Sequence, residues 1–284
     1  NGFNELIKSN ITSSGKEIDI TGITEMHTTY DAQLSGFGNV FRSGGDPNDK
    51  FSGVGLVLSD KAKKALIFTN AFSSRILMAR FKGRFAYITV IVVYIPHQGR
   101  KQAPFQEDTY LELENTINAV NNHDCLIVMG DFNSRLARSD RHNDYRDNKL
   151  VGRWSIHHRD CVGGVILRGL LQRQNLCAVS AKFQPRGFQS RKTKKNRSNA
   201  TWLNPQVEFK PSQIDHILVC QRFMKWFTNC QVKWGPSINR WGKKQDHACF
   251  QAFLNTSITA PSSGFKKSYD LSKLSNEDVR EKYR

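Results

Sequence analysis

The sequence lacks a long apolar stretch, a secretory signal and paired cysteines. Its longest apolar run, Ala86 to Ile95 with Thr89 inside it, is too short to cross a bilayer and predicts a buried strand. The first ten residues, NGFNELIKSN, contain no apolar core of the kind that secretory signals carry. The six cysteines form no CxxC pair, which argues against a zinc ribbon and favours reduced thiols in an intracellular protein. We therefore expect a globular protein with no membrane partner and no obligate protein partner.

Acidic residues are scarce relative to basic ones. The 284 residues include 42 Lys and Arg against 25 Asp and Glu, a formal net charge of +17. Such a surface attracts polyanions, so nucleic acid is a candidate partner, although a generic basic surface would have the same balance. The most basic segment lies between Phe188 and Ala200. Its candidate DNA-binding residues are Arg191, Lys192, Lys194, Lys195 and Arg197. This segment is either a phosphate-contacting arm or a solvated loop.

Short β-rich apolar runs recur along the chain and outnumber the helical segments, and no internal repeat is visible. The runs are Ile18–Ile23, Gly53–Leu58, Ala65–Phe68, Ile76–Phe81, Ala86–Val93, Cys125–Met129, Cys177–Ser180, Ile214–Val219, Cys230–Trp234 and His247–Leu254. Helical periodicity predicts one helix from Gln106 to Val120 and a second from Val165 to Gln174. Many strands with few helices predict two sheets packed face to face and flanked by helices, an α/β class.

The sharpest local feature is GDFN, where a buried strand ends at Gly130 and two polar side chains follow. Asp131 and Asn133 are two residues apart, a spacing that points both side chains the same way in an extended chain. A carboxylate and an amide that converge there could hold a water molecule and a phosphate oxygen. The alternative is a simple turn, because Gly-Asp and Asn-Ser favour turns for local reasons.

Four other polar groups lie beside apolar runs. Asp215 stands at the start of the strand QIDHILV, and the pair Asp246-His247 leads into the last strand. A histidine held by a buried carboxylate is suited to proton transfer or to stabilising a phosphate oxygen. Glu25 follows the first strand and is a candidate ligand for a hard cation, and Tyr94 ends the strand before Pro96. Each of these residues, taken alone, also has an ordinary structural explanation.

The order of these motifs resembles the endonuclease/exonuclease/phosphatase superfamily, which includes DNase I and the apurinic/apyrimidinic endonucleases. The resemblance extends from about Glu5 to Leu254. The stretches ATWLNPQ, PSQIDHILV, KWGPSINRWG and QDHACFQAFL are more specifically similar to endonuclease domains of LINE-type non-LTR retrotransposons, some of whose relatives carry names such as craniofacial development protein-like. The resemblance implies a DNase I-like four-layer α/β sandwich and DNA cleavage in the nucleus.

The resemblance also implies roles for the residues that match the family's motifs. Glu25 would ligate Mg²⁺, or alternatively Mn²⁺, with Asp246 beside the metal or the leaving oxygen. Asp131 would orient or deprotonate the attacking water, and Asn133 would hold that water or the scissile phosphate. The remaining roles concern the phosphoryl group: Tyr94 would bond a phosphate oxygen, Asp215 would fix the His247 ring, and His247 would stabilise charge.

The domain is predicted to cover residues 1–258, followed by a linker over 259–284 towards a reverse transcriptase-like region. The family's usual first strand, which carries a metal-supporting Asn, is not visible before NGFNELIKSN, so Asn1, Asn4 and Asn10 receive no role. Three functions stay open at this point: a DNA endonuclease, a same-fold enzyme acting on a small phosphoester, and a DNA-binding remnant without activity. Trp202 and Trp241 are either packing residues or aromatic groups that stack on DNA.

Overall fold

The computed structural model describes residues 18–26, 40–43, 52–97, 99, 103–139, 149–185, 199–206, 210–234 and 246–259. The strands are β1 Ile20–Ile23, β2 Val40–Arg42, β3 Gly55–Leu58, β4 Leu66–Ser73, β5 Ile76–Phe81, β6 Ile88–Tyr94, β7 Cys125–Asp131, β8 Leu176–Ala178, β9 Trp202–Asn204, β10 Lys210–Ser212, β11 Asp215–Cys220, β12 Phe227–Lys233 and β13 Cys249–Leu254. The helices are α1 Asp60–Ala65, α2 Ala103–Asn118 and α3 Val162–Arg173, with 3₁₀ turns at Ser180–Lys182 and Gln221–Trp226.

A six-stranded mixed sheet with the order β4-β5-β6-β7-β11-β8 forms the centre of the molecule. Its strands β6 and β7 pair in parallel, whereas β11 runs antiparallel to β7. Every residue of β6 is buried, which explains why its sequence ITVIVVY is a continuous apolar run: both faces of the strand are covered. The parallel pair brings the carboxyl ends of β6 and β7 to the same edge of the sheet.

Two apolar cores cover the two faces of this sheet. On one face, side chains of β6 such as Ile91 and Val93 pack against Leu113 of α2 and Leu167 of α3. On the other face, Val90 and Val92 pack with residues of β3, β12 and β13. Helices therefore cover one face of the central sheet, and a second layer of strands covers the other face. The predicted α/β sandwich is confirmed.

The second strand layer consists of the sheet β1-β3-β2 and the hairpin β12-β13. Strand β1 crosses the six-stranded sheet closely at Gly22, where an added Cβ would lie 3.1 Å from a Val92 methyl group and 3.2 Å from the Met129 sulfur. The absence of a side chain there lets β1 lie low over β6 and β7. This close crossing brings the residues after β1 to the edge where β6 and β7 end.

Both predicted helices are present, over Ala103–Asn118 instead of Gln106–Val120 and over Val162–Arg173 instead of Val165–Gln174. Tyr110, Leu113, Ile117, Leu167 and Leu171 are buried, whereas Val120 lies beyond the first helix and is half-buried. The pattern missed β2, α1, β9 and β10, which have three to six residues each. At the end of the described chain, Ile258 is buried and Thr259 donates a hydrogen bond to the Lys82 carbonyl. The predicted linker from 260 onward, the basic segment 191–197, Trp241 and the asparagines 1, 4 and 10 lie outside the described residues.

Candidate active site

Three of the candidate side chains stand side by side on neighbouring strands. In the parallel pairing of β6 with β7, Tyr94 is the partner of Asp131. In the antiparallel pairing of β7 with β11, Asp131 is also the partner of Asp215. Strand register alone thus brings a phenol and two carboxylates, distant in sequence, to one edge of the central sheet.

The end of β7 depends on Gly130, whose φ is +149°. A Cβ at this position would lie 1.8 Å from the Val93 carbonyl oxygen, so the close approach of β7 to β6 excludes any side chain. The Asp131 carbonyl then accepts a hydrogen bond from the Ile95 amide at 2.8 Å. These contacts hold Asp131 at the end of the strand, and it is almost fully buried.

Asn133 adopts a left-handed conformation with φ +45°, so the extended-chain argument for its direction is wrong. Its backbone N–H donates to Asp131 Oδ1 at 2.8 Å, and its side-chain Nδ2 donates to the Ile95 carbonyl at 2.8 Å. Nδ2 also lies 3.3 Å from Asp131 Oδ2. The two residues nevertheless converge, because Asn133 wraps around the Asp131 carboxylate and fixes its orientation.

His247 reaches the same edge from the segment that precedes β13. Its Nδ1 lies 3.2 Å from Asp215 Oδ2, within the range expected for this hydrogen bond. Burial lowers the pKa of His247, but the Asp215 hydrogen bond and the charges of Asp215, Asp131 and Asp246 outweigh it and raise the pKa to about 9. The ring is therefore an imidazolium at neutral pH, with a positive charge directed into a carboxylate-rich edge.

For Asp131, burial and the neighbouring carboxylates shift the pKa in the same direction. Burial raises its pKa well above the usual carboxyl value, and the nearby charges of Asp215 and Glu25 raise it further. The imidazolium of His247 and the hydrogen bond from Asn133 act in the other direction. A carboxylate in this position has a high affinity for a proton or for a cation.

Glu25 arrives at the edge directly after β1, with a φ of +52°. The backbone N–H of the next residue, Met26, donates to the Gly53 carbonyl at 2.9 Å, which ties this turn to the start of β3. The Glu25 carboxylate hydrogen-bonds the hydroxyl of Tyr94, and burial together with the Glu25 charge raises the Tyr94 pKa far above the range of titration in water. Tyr94 therefore stays protonated, and its hydroxyl is a hydrogen-bond donor at all working pH values.

Oxygen ligands for a hard cation are available at this edge. The carboxylate and imidazole atoms of Asp131, Asp215 and His247 lie within 4.8 Å of one another. The carboxylates supply the oxygen ligands that a hard cation prefers. The charges of Asp215 and Glu25 raise the pKa of Asp131, and a divalent cation would remove this electrostatic cost, so these residues fit a site for such a cation.

Thr201 connects the segments that carry Asp215 and His247; it lies in the ATWLNPQ stretch, but the sequence pattern assigned it no role. Its fully buried hydroxyl accepts hydrogen bonds from the backbone N–H groups of Ile214 and Asp215, both at 3.1 Å. Its carbonyl accepts a hydrogen bond from the Ala248 amide at 2.8 Å. One residue thus sets the separation between the Asp215 strand and the His247 segment.

The remaining candidates have less defined contacts. Asp246 is half-buried; its carbonyl accepts a hydrogen bond from Leu203, and its charge acts on His247. Trp202 is half-buried and packs beside His247, with ring centroids 6.3 Å apart. The five basic residues of segment 191–197 lie outside the described residues.

The model of the Endonuclease/Exonuclease/phosphatase family matches residues 2–247. The chain belongs to this family. Among relatives of known sequence, Craniofacial development protein 2 of Bos taurus is 24% identical over 211 residues. The match covers 72% of this chain but only 32% of the bovine protein, so the chain spans about a third of the length of that relative.

Solved structures share the fold of this family member. The 3′ phosphatase NExo from Neisseria, bound to product DNA hairpin, superposes with a TM-score of 0.59 at 18% identity and covers 89% of this chain and 92% of its own. The endonuclease domain of TRAS1, a telomere-specific non-LTR retrotransposon, superposes with a TM-score of 0.57 at 15% identity, covering 89% and 92%. The family and these neighbours support a hydrolase of phosphoester bonds of the nuclease and phosphatase class.

None of the helices in the described part of the chain is long and apolar enough to pass through a membrane.

Proposed function

We propose that this protein is a divalent-metal-dependent DNA endonuclease that hydrolyses a phosphodiester bond and nicks target DNA for a non-LTR retrotransposon. The observation that carries the proposal is the convergence of Asp131, Asp215 and His247 within 4.8 Å at the edge where β6 and β7 end. Two carboxylates and an imidazolium in that arrangement can accept a proton from water and oppose charge on a phosphoryl group.

In the proposed reaction Asp131 orients and deprotonates the attacking water. Its raised pKa makes the carboxylate a stronger base than an exposed aspartate, and Asn133 holds it in place through the hydrogen bond at 2.8 Å. The fixed position matters because in-line attack on phosphorus requires the water within hydrogen-bond range of its base.

His247 and Tyr94 stabilise the phosphoryl group as negative charge develops on it. His247 is positively charged at neutral pH and its ring is held by Asp215, so it presents a preorganised cation to a phosphate oxygen. Tyr94 remains protonated and can donate a hydrogen bond to a second oxygen. His247 keeps its position when the transition state forms, because Asp215 holds its other ring nitrogen, whereas the Tyr94 hydroxyl would turn from Glu25 to the phosphate oxygen.

Glu25 and Asp246 are the carboxylates that would hold Mg²⁺, with Mn²⁺ as the alternative. The bound cation would neutralise charge on the phosphate and polarise it towards attack. The chain's own contribution is to bring Glu25 to the sheet edge through the close crossing of β1 at Gly22.

Polymeric DNA is the substrate that the charge favours. A net charge of +17 attracts a polyanion more strongly than a small phosphoester, whose binding would not require an extended basic surface. The retrotransposon setting, and with it action in the nucleus, rests on the similarity of the ATWLNPQ, PSQIDHILV and QDHACFQAFL stretches to LINE-type endonucleases and on the shared fold of the TRAS1 domain.

The test is a nicking assay on supercoiled plasmid with Mg²⁺, Mn²⁺ or EDTA, run beside turnover of bis-p-nitrophenyl phosphate and of an inositol phosphate. We expect open circles to accumulate only with a divalent cation, and Asp131→Asn to abolish them. Asp108→Asn, an exposed acid of α2, is the matched control and should cleave like the wild type. Plasmid binding without cleavage would identify a remnant, and turnover of the small substrates alone would identify a different phosphoesterase.

A further inference from the structure

The end of the central sheet opposite the candidate active site carries a group of arginine and aromatic side chains. Here β6 and β7 begin and β11 ends, so the loop 82–87 before β6 and the 3₁₀ turn Gln221–Trp226 after β11 lie at the same end of the sheet. We call this region the basic–aromatic surface and define it by Arg80, Arg84, Phe85, Tyr87, Arg222 and Phe223. Strand β6 has seven residues, so about 20 Å separates this surface from the edge where β6 and β7 end.

Asp124 fixes the two halves of the basic–aromatic surface to one another. Its buried carboxylate accepts hydrogen bonds from Arg80 Nε at 2.7 Å and Arg80 Nη2 at 2.9 Å. Its carbonyl accepts a hydrogen bond from Arg222 Nη2 at 3.2 Å, and Arg222 also donates to the Asn122 carbonyl. Arg80 and Arg222 are therefore both held in place by hydrogen bonds to Asp124.

Each arginine of the surface lies over an aromatic ring. The guanidinium carbon of Arg80 is 4.3 Å from the Tyr87 ring centroid, that of Arg222 is 4.7 Å from Phe223, and that of Arg84 is 5.1 Å from Phe85. Phe85 is 69% exposed and Tyr87 is 44% exposed. The exposed rings of Phe85 and Tyr87 therefore offer flat apolar faces next to positive charge, whereas the Phe223 ring packs against the core and against Trp226.

The charge of this surface has one sign. The segments 80–89 and 220–227 contain five Lys and Arg residues, the other two being Lys82 and Lys225. The same segments together with 121–125 contain a single acid, Asp124, and its carboxylate is already paired with Arg80. The complementary partner is an anion that also carries flat apolar groups.

We propose that the basic–aromatic surface binds an unpaired nucleic-acid strand, independently of the cleavage site. Unpaired bases can stack on exposed aromatic rings and on guanidinium planes, while the phosphates contact the arginines and lysines. A duplex cannot use the rings, because its bases are already stacked on each other. The surface would hold a single strand while a duplex occupies the opposite edge of the sandwich.

The experiment is fluorescence anisotropy in EDTA, where no cleavage occurs, with a labelled oligothymidine of about 20 nucleotides and with a duplex of the same length. The double variant Arg84→Ser/Phe85→Ser should weaken oligothymidine binding by about 10-fold or more and reduce its salt dependence. The same variant should melt like the wild type and retain cleavage of plasmid. The matched control Phe105→Ser/Arg173→Ser removes one exposed ring and one exposed cation from the helical side of the molecule and should leave binding unchanged.

Two single variants separate base stacking from simple apolar docking. Phe85→Tyr keeps a flat ring and should retain binding, whereas Phe85→Leu keeps an apolar group without a ring and should lose it. Equal affinity of Phe85→Leu and wild type for oligothymidine would overturn the proposal. The proposal would also be overturned if Arg84→Ser/Phe85→Ser weakened binding no more than the control variant does. A third contrary result would be that Arg84→Ser/Phe85→Ser loses binding to labelled polyglutamate but not to oligothymidine, which would point to an acidic protein partner. Because binding is measured without metal, failure of the nuclease assignment would not affect this test.

Discussion

Asp131 and Asp215 are direct cross-strand partners at the ends of β7 and β11. Like charges in opposed positions destabilise a sheet, and the charge of Asp215 contributes to the raised pKa of Asp131. The imidazolium of His247 offsets part of this repulsion from the Asp215 side. The fold thus holds the two carboxylates close together despite their repulsion, which is typical of a functional site rather than of a structural ion pair.

Replacing Asp215 with Asn separates the catalytic contribution of this residue from its structural one. Asp215→Asn removes the repulsion on Asp131 but also removes the carboxylate that holds the His247 ring. We expect the melting temperature to stay the same or rise slightly, while the plasmid-nicking rate falls roughly 10²–10⁴-fold. Differential scanning fluorimetry and the nicking rate, measured on one preparation, check both outcomes. A variant that nicks at the wild-type rate would show that the Asp215–His247 pair has no part in the reaction.

The Thr201 hydroxyl is expected to position the site without touching substrate. Thr201→Val keeps the shape of the side chain but leaves the amides of Ile214 and Asp215 without their acceptor, at a cost of about 1–3 kcal/mol for a buried polar group. The turnover number should fall at least tenfold with little change in KM, because Asp215 and His247 lose their fixed separation. Thr201→Ser retains the hydroxyl and should restore most of the activity. Loss of stability with unchanged turnover would limit Thr201 to a structural role.

The apolar pattern predicted the sandwich because its longer strands are buried on both faces. Strand β5 has the predicted bounds Ile76–Phe81, and β6 and β7 each extend a residue or more beyond their apolar runs to end at Tyr94 and Asp131. The polar residues that the motifs singled out were predictable because burying a carboxylate or a phenol at the end of an apolar strand is costly unless the group is hydrogen-bonded or functional. Their catalytic roles stay predictions.

Other features depend on contacts that a local pattern does not contain. Strands β9 and β10 have three residues each, and Pro211 lies within β10, so neither shows a strand pattern. The role of Thr201 follows only from how β9 lies between the Asp215 and His247 segments. The left-handed conformation of Asn133 likewise depends on the Ile95 carbonyl, which is 38 residues away in sequence.

Gly130 is expected to be irreplaceable at the end of β7, next to Asp131. Gly130→Ala would place a Cβ 1.8 Å from the Val93 carbonyl oxygen at a φ of +149°, so β7 must move away from β6. We expect a loss of about 3 kcal/mol or more in the free energy of unfolding, or failure to fold. Gly169→Ala in α3 is the matched control, since the added Cβ meets only the end of the Arg173 side chain and helix propensity should give a gain of about 0.5–1 kcal/mol. Urea unfolding measures both, and equal stability of the two variants would contradict the close packing at Gly130.

His157 is expected to make the folded state sensitive to acid. Burial, with the nearby charges of Arg135 and His216, lowers its pKa from 6.5 to about 4, and its Nε2 accepts a hydrogen bond from the Gln213 amide at 2.9 Å. Because the unfolded chain binds this proton more readily, the stabilisation is complete above pH 6.5 and is lost progressively as the pH falls towards 4.

The ring is partly exposed, so solvent screening reduces the full linkage value to roughly 1–2 kcal/mol between those limits. His157→Gln keeps an acceptor for the Gln213 amide but cannot take up the proton. Its free energy of unfolding should therefore change less between pH 7 and pH 5 than that of the wild type. His158→Gln alters the exposed neighbour and should leave the wild-type pH dependence in place. Urea titrations at the two pH values decide the point: parallel losses in all three proteins would mean that His157 is not the group that senses acid.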